Sequence, residues 1–299
     1  MKHGGAVFKG FVMLVYVATY PRCGSAVLRD TIHLNWGYAT ANLYAASTWP
    51  DEFTILPSDI IGFTPYRYRG GPVRQMLASP CRDLLTPQVR QRLAGSASRF
   101  FVKTHENPPS DPIDGEVAVQ LVRHPAAAIT SQWKLHGATH DECPPLAHFA
   151  EGCDTGGRWD RYHRAWEQSA MPLFRRRFED VLKTPFDLVR ELGDFLHLPQ
   201  PESPRVMTAE SARARNPMRN PIRGPDGWMD QISVADLQRI WSGHKMAARE
   251  MGYGMMGVSG PFTPPQSMPA KPRAPVSILN ETAGSEHGQS AKEIQLATC

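Results

Sequence analysis

The sequence predicts an α/β protein, a three-layer sandwich in which helices cover both faces of a mostly parallel central sheet. Apolar runs typical of strands alternate along the chain with helical segments, which is the order of a parallel sheet with crossover helices. The strand runs are apolar on both faces, as buried parallel strands are. With 299 residues, 41% of them hydrophobic and 21% charged, the chain is long enough to bury a sizeable core.

The first half of the chain contains two predicted strands and two predicted helices. Residues 12–19 (VMLVYVAT) form an apolar, β-rich run, and residues 25–46 follow as a helix with an apolar stripe. Residues 49–71 are rich in Pro, Gly and aromatic side chains, which predicts a long loop that contacts a ligand. A short helix over 86–93 and a strand over 99–103 complete this half.

The second half continues the alternation of strands and helices. Strands are predicted over 117–122 (VAVQLV) and 173–178. Helices are predicted, in chain order, over 126–135, 159–168, 184–196 and 234–251, with irregular segments over 137–157 and 216–228. Pro185 stands at the first helical position of its segment, where a missing N–H costs nothing.

The chain divides by composition into a folded domain, residues 1–258, and a Pro/Ser-rich disordered tail, residues 259–299. Six prolines fall between residues 261 and 275, and few apolar residues follow them. A segment of this kind buries too little apolar surface to offset its conformational entropy.

Charge and cysteine content limit the classes of function. The net charge of +4 is mild and suits a small anionic ligand better than nucleic acid, which we expect this protein not to bind. Residues 11–18 are too short to span a bilayer, and they run into a turn without a signal-peptide cleavage site. The odd count of five cysteines lacks framework spacing, so we expect reduced thiols and a cytoplasmic protein. The sequence indicates no oligomeric state.

Two short segments have the chemistry to serve a single anion. Residues 19–26 (TYPRCGSA) predict a strand that runs into a glycine-containing turn and then a helix, which points backbone N–H groups at a negative ligand. Lys103 and His105 end the strand at 99–103, two residues apart and therefore on the same face. An anion-binding loop together with a cation and a titratable base is typical of a group-transfer enzyme.

Six segments, taken in order, resemble the PAPS-dependent sulfotransferase family, of the cytosolic type. The resemblance covers about residues 12–253. The segments are 19–25 (TYPRCGS), similar to the 5′-phosphosulfate loop; 102–105 (VKTH), similar to the segment of the catalytic base; 121–131 (LVRHPAAAITS), similar to the 3′-phosphate segment; 157–166 (GRWDRYHRAW); 177–185 (RFEDVLKTP); and 223–228 (RGPDGW), similar to the late glycine-rich loop.

The resemblance implies the P-loop-NTPase-like sulfotransferase fold, PAPS as the sulfuryl donor and no metal. It implies that His105 is the base, while Lys103 and Arg22 stabilise the bridging oxygen and the 5′-phosphate. The implied acceptor is a small molecule or glycan with a hydroxyl group, less readily an amine. The residues implied to bind the cofactor are Arg22, Cys23, Gly24, Ser25, Ala26, Arg123, Ser131, Phe178, Arg223 and Gly224.

The phosphosulfate loop is where the chain departs from the family pattern. Arg22 stands in place of the family's lysine and keeps the charge but cannot donate a proton, because the pKa of a guanidinium is too high. Ala26 and Val27 replace a threonine and a tryptophan that contact the cofactor. These changes leave the pair Lys103 and His105 intact.

Three other interpretations stay open from the sequence. A nucleotide or small-molecule kinase shares the phosphate cradle, although the Gly-x4-Gly-Lys-Ser/Thr motif is absent. A catalytically degenerate PAPS-binding protein would explain Arg22, Ala26 and Val27. A zinc site is conceivable among the following residues: His136, His140, Cys143, His148 and Cys153.

Overall fold

The computed structural model describes residues 14–38, 40–42, 85–96, 98–153, 156–208 and 227–262. All of them fall within one compact unit, residues 1–267. The predictions for the loop at 49–71, for Arg223 and Gly224, and for the tail beyond 262 lie outside the described residues.

Five parallel strands form the central sheet, in the spatial order β2-β3-β1-β4-β5. They are β1 (Leu14–Ala18), β2 (Thr40–Asn42), β3 (Phe100–Thr104), β4 (Glu116–Val122) and β5 (Leu173–Arg177). The first strand lies in the middle, hydrogen-bonded to β3 on one side and to β4 on the other. The predicted α/β class and parallel sheet are confirmed.

Helices surround the sheet. They are α1 (Ser25–Trp36), α2 (Pro87–Ala94), α3 (Pro125–Thr139), α4 (Leu146–Glu151), α5 (Trp159–Gln168), α6 (Phe178–Lys183), α7 (Pro185–Leu196) and α8 (Val234–Glu250). A short 3₁₀ helix (Met229–Gln231) precedes α8, and an antiparallel hairpin, β6 (Tyr253–Gly254) and β7 (Gly257–Val258), follows it.

Two buried clusters, one on each face of the sheet, produce the three layers. Alternate residues of β1 divide between them, with Tyr16 on one face and Val17 on the other. The first face packs against indole rings such as Trp159 and Trp166, and the second packs against aliphatic side chains of α1 and α7. Because both faces of every central strand are covered, the strands are apolar throughout.

Two predicted boundaries were wrong for local reasons. The first helix ends at Trp36 and not at residue 46, because Gly37 adopts a left-handed conformation (φ 72°) that closes it. The short strand β2 then replaces the predicted end of that helix. The helix α3 continues past 135 to Thr139. Within 137–157, predicted to be irregular, the six residues of α4 are too few to show a helical period.

A buried polar network holds the amino-terminal edge of the sheet. Arg90 donates to both carboxylate oxygens of Glu116, from Nε at 2.8 Å and from Nη2 at 2.6 Å. The Tyr16 hydroxyl donates to the same carboxylate at 2.8 Å, as does the amide of Ile113. This network anchors α2 to β1 and β4, at the edge opposite the loops that follow the strands.

Candidate active site

The predicted anion loop and the predicted base come together at the carboxyl edge of the sheet. Ala18 at the end of β1 is in register with Thr104 at the end of β3, so the loop that follows β1 lies beside His105. Arg123 directly follows β4, the neighbour of β1 on its other side. Ligands of open α/β sheets gather at this edge.

The anion loop, residues 19–24, turns tightly because two of its residues are left-handed. Arg22 has φ 65° and Gly24 has φ 98°. A Cβ added to Gly24 would lie 2.7 Å from Cδ2 of Phe178, so the position has neither the conformation nor the space for a side chain. The turn leads straight into α1, and among the described residues no side chain caps that helix.

The start of α1 presents backbone donors at the end of the loop. The first amides of a helix have no partner within it, so those of Ser25 and Ala26 point out of the helix start. Cys23 differs, because its amide donates to the carbonyl of Tyr20 at 3.1 Å. Its thiol is fully buried, and burial raises its pKa to about 12. We therefore leave Cys23 out of the proposed site, against the prediction from the sequence.

The imidazole of His105 is oriented by the anion loop. Its Nδ1 atom lies 2.5 Å from the carbonyl oxygen of Thr19. A carbonyl only accepts hydrogen bonds, so Nδ1 carries the proton and Nε2 keeps a lone pair. Burial lowers the pKa of His105 well below its ordinary value, and the nearby cations Lys103, Arg29 and Arg22 lower it further. The ring is therefore neutral near pH 7.

The cation Arg29 was not predicted as a site residue. It lies on α1, one helical turn after Ser25, on the helix whose start faces the loop. Its charge acts on His105 together with that of Lys103, which lies on β3 two residues before the histidine. A spacing of four residues from a predicted ligand residue places both on one helix face, and that signal was available in the sequence.

A second group of predicted residues surrounds the carboxyl end of β4. Nε of Arg22 donates to the hydroxyl of Ser131 at 3.0 Å. Nη1 of Arg123 donates to the carbonyl of Arg22 at 3.3 Å. The Arg123 guanidinium lies over the ring of Phe178, 5.1 Å from its centroid. The four residues therefore form one cluster next to the anion loop.

Residues that sequence reasoning missed hold the backbone around Arg123. The indole of Trp159 donates to the Arg123 carbonyl at 3.1 Å. His124 is buried, and its Nε2 donates to the carbonyl of Gly254 at 2.9 Å. Its ring stacks on that of Trp228, with the two ring centroids 4.6 Å apart. Its amide donates to Glu179 at 3.2 Å. Trp159, His124 and Trp228 all lie in segments with a family resemblance, but the resemblance gave none of them a role.

The histidines and cysteines proposed above for zinc do not form a metal site. Within the described ranges, no group of three or more His, Cys, Asp or Glu side chains is arranged to hold a metal ion. The rings of His136 and His140 stack on each other, with their centroids 4.0 Å apart and an interplanar angle of 12°.

No helix in the described parts of the chain is long and apolar enough to cross a membrane.

Comparison with known proteins gives matches at the level of structure. No family model matches the sequence, and no curated protein matches it either. Mouse sulfotransferase SULT7A1 complexed with PAP superposes with a TM-score of 0.54 at 11% identity, over 81% of this chain and 84% of that one. Retinol dehydratase in complex with retinol and PAP superposes with a TM-score of 0.50 at 16% identity, over 80% of this chain and 82% of that one. The chain thus has the sulfotransferase fold.

Proposed function

We propose that this protein is a PAPS-dependent sulfotransferase that moves a sulfuryl group from PAPS to an acceptor hydroxyl. One observation carries the proposal. His105 carries its proton on Nδ1, which is hydrogen-bonded to the loop before α1, so Nε2 is the basic nitrogen. Its pKa is lowered beside Lys103, and among the described residues no side chain caps the helix start that follows the loop. A base fixed beside an anion cradle is the arrangement that sulfuryl transfer to a hydroxyl requires.

Two parts of the cluster around Arg22 and Arg123 suit the two phosphate groups of the donor. Arg22 and the amides of Gly24, Ser25 and Ala26 would hold the 5′-phosphosulfate. Arg123 and Ser131 would hold the 3′-phosphate, because a guanidinium matches phosphate oxygens bidentately. We assign Arg223 and Gly224 to the same 3′-phosphate group on the resemblance alone, and Phe178 to the adenosine side of the site.

The chemical step follows from the orientation of His105. When bound, PAPS supplies an already activated sulfuryl group, so the acceptor needs only a base. The acceptor hydroxyl gives its proton to Nε2 of His105 while its oxygen forms a bond to sulfur. The bond between sulfur and the bridging phosphate oxygen breaks, and Lys103 and Arg22 would stabilise the negative charge that develops on that oxygen. The products are the sulfated acceptor and PAP.

The comparisons support the donor more than they support the reaction. Both neighbours above are complexes with PAP, which the proposed donor would leave behind. One of them is named a dehydratase and holds retinol, so the fold does not decide the reaction by itself. We further propose a cytoplasmic enzyme whose acceptor is a small molecule or glycan and whose catalytic domain is residues 1–258.

The direct test is a transfer assay with PAPS labelled in its sulfuryl group, screened against phenols, sterols, sugars and amines. Calorimetry with PAP, and with ATP and Mg²⁺ as the competing ligand, measures which nucleotide the site selects. We expect labelled product with at least one hydroxyl acceptor and tight binding of PAP alone. Tight ATP binding without PAP binding would favour a kinase, and PAP binding without transfer to any acceptor class would favour a degenerate binding protein.

A further inference from the structure

A carboxyl and a phenol are buried together beneath Arg123. Glu179 is only 4% exposed and Tyr253 is 0% exposed. Glu179 belongs to the first turn of α6, and Tyr253 opens the hairpin after α8, 74 residues later. The Tyr253 oxygen lies 2.7 Å from Oε2 of Glu179 and 3.1 Å from the carbonyl oxygen of Val122.

These contacts bracket Arg123 on both sides. The Val122 carbonyl belongs to the peptide group before Arg123, and the His124 amide belongs to the one after it. Oε1 of Glu179 accepts from that amide at 3.2 Å, so the pair holds both peptide groups. The guanidinium of Arg123 is thereby aimed from a fixed backbone.

The number of protons available to Glu179 and Tyr253 indicates the protonation state of Glu179. The Tyr253 hydroxyl has one proton, yet two oxygens lie within hydrogen-bond distance of it. The Val122 carbonyl has no proton to give, and an ionised carboxylate only accepts. Two separate hydrogen bonds, each with its own proton, form only if Glu179 is protonated, so that Oε2 donates to Tyr253 and Tyr253 donates to Val122. With an ionised Glu179, the two oxygens would share the single phenol proton.

Burial favours the protonated state of Glu179, whereas the charge of Arg123 opposes it. Arg177, the residue before α6, is paired with Asp180 at 2.7 Å. Cys23, whose thiol is buried, and the Tyr253 phenol are the other titratable groups next to the carboxyl, with His124 and Arg123 above it. Burial raises the pKa of Glu179. The hydrogen bonds that an ionised carboxylate would accept from Tyr253, from its own amide and from the amide of His124, together with the charge of Arg123, oppose that rise without cancelling it.

We propose that Glu179 is a positioning residue, held as a neutral carboxylic acid that donates to Tyr253 and fixes Arg123 without neutralising its charge. An ionised carboxylate in the same place would oppose the positive field that attracts an anion. The neutral acid supplies the hydrogen bonds and leaves the charge of Arg123 for the ligand. The consequence for PAP affinity rests on the function proposed above, whereas the protonation state of Glu179 does not.

Infrared spectroscopy of the unmodified chain measures that state directly. We expect the C=O stretch of a protonated carboxyl at pH 7, and we expect carboxyl-labelled glutamate to shift it. The band should disappear in E179Q and persist in D180N, the matched control in which the neighbouring carboxyl is removed. Absence of the band from the unmodified chain, or its persistence in E179Q, overturns the proposal.

Binding of PAP measures the consequence. The amide of E179Q reproduces the hydrogen-bond pattern of a neutral acid, so we expect unchanged PAP affinity. Y253F breaks the chain to Val122, and we expect PAP affinity to fall by about three- to tenfold, the effect of one hydrogen bond. If Glu179 were ionised, E179Q would remove a negative charge beside Arg123, and PAP would bind more tightly than to the unmodified chain. That tightening would overturn the proposal.

If the unmodified chain does not bind PAP, the proposed function fails and the infrared result still decides the protonation state of Glu179.

Discussion

The hydrogen bond from Nδ1 of His105 to the carbonyl of Thr19, 2.5 Å long, joins the candidate base to the loop that would hold the sulfuryl donor. The two residues follow neighbouring strands, β3 and β1, and are 86 positions apart in sequence. A single contact therefore sets the tautomer of the base and its distance from the loop.

Replacing His105 by alanine should abolish transfer while leaving donor binding in place. General-base catalysis contributes about 10²- to 10⁴-fold to a rate, so we expect kcat to fall by that factor. The affinity for PAP, measured by calorimetry, should change little. The matched control is His33→Ala, which removes an exposed histidine of α1. Transfer by His105→Ala at the rate of the unmodified chain would show that another group is the base.

The acid limb of the activity profile should lie below pH 6.5, the ordinary pKa of histidine. The folded chain lowers the pKa of His105, so Nε2 stays unprotonated to lower pH than in a free histidine. Arg29→Met removes one of the cations responsible and should move the limb of kcat/KM to higher pH. Arg161→Met, at an exposed position of α5, should leave it unchanged. An acid limb above pH 6.5 in the unmodified chain contradicts this prediction.

Gly24→Ala should lower the unfolding free energy by more than the strain of a left-handed residue alone. Gly24 and Gly37 both have positive φ, 98° and 72°. A Cβ at Gly24 meets Phe178 at 2.7 Å, whereas a Cβ at Gly37 meets nothing within 4 Å. Gly37→Ala should cost about 1 kcal/mol of unfolding free energy, the strain of a left-handed residue. Gly24→Ala should cost more and weaken PAP binding, as thermal unfolding and calorimetry would measure. Equal effects of the two changes on PAP affinity would argue against a ligand at this loop.

Arg123→Ala should discriminate between two nucleotides. If Arg123 holds the 3′-phosphate, its loss should weaken PAP by about 1.5–3 kcal/mol, the range for hydrogen bonds to charged groups. Adenosine 5′-phosphate lacks the 3′-phosphate and should bind the variant as it binds the unmodified chain. Calorimetry with both ligands provides the measurement. An equal loss for both nucleotides would place Arg123 at a different part of the ligand.

Arg90→Ala should destabilise the fold without altering the site. The change leaves Glu116 buried and without its ion pair, which costs about 3–5 kcal/mol. Tyr16→Phe removes one hydrogen bond to the same carboxylate and should cost about 1 kcal/mol. Urea unfolding measures both, and PAP affinity below the transition should not change. A loss under about 1 kcal/mol for Arg90→Ala would mean that the pair behaves as an exposed one.

Much of the fold could be predicted, because the strands that lie within the sheet are continuous apolar runs. The turn at residues 19–24 and the pair Lys103 and His105 were recognisable since each is local in sequence. Strand β2 was missed, because three residues carry no period, and its pairing with β3 is what defines it. Local signals work where a segment's own composition decides its structure.

The part of the site that sequence could not predict depends on distant contacts. Glu179 lies in a segment with a family resemblance, but it meets Tyr253 only in the folded chain, and no local pattern pairs the two. The orientation of Cys23 illustrates the same limit. Its place in the loop suggests a ligand contact, yet tertiary packing takes its thiol into the core. The resemblance to a family identified segments, and three-dimensional packing decided which groups in those segments face a ligand.

The bond from Tyr253 to the carbonyl of Val122 has a consequence for how the protein is made. A ribosome delivers the anion loop first and Tyr253 only after most of the domain, since 131 positions separate the two bonded residues. The amino-terminal segments can begin to fold as they emerge. The backbone around Arg123 is completed only when the last elements dock. A nascent or truncated chain that stops before Tyr253 would therefore contain every basic residue considered above. It would still lack the hydrogen bond that fixes the backbone next to Arg123.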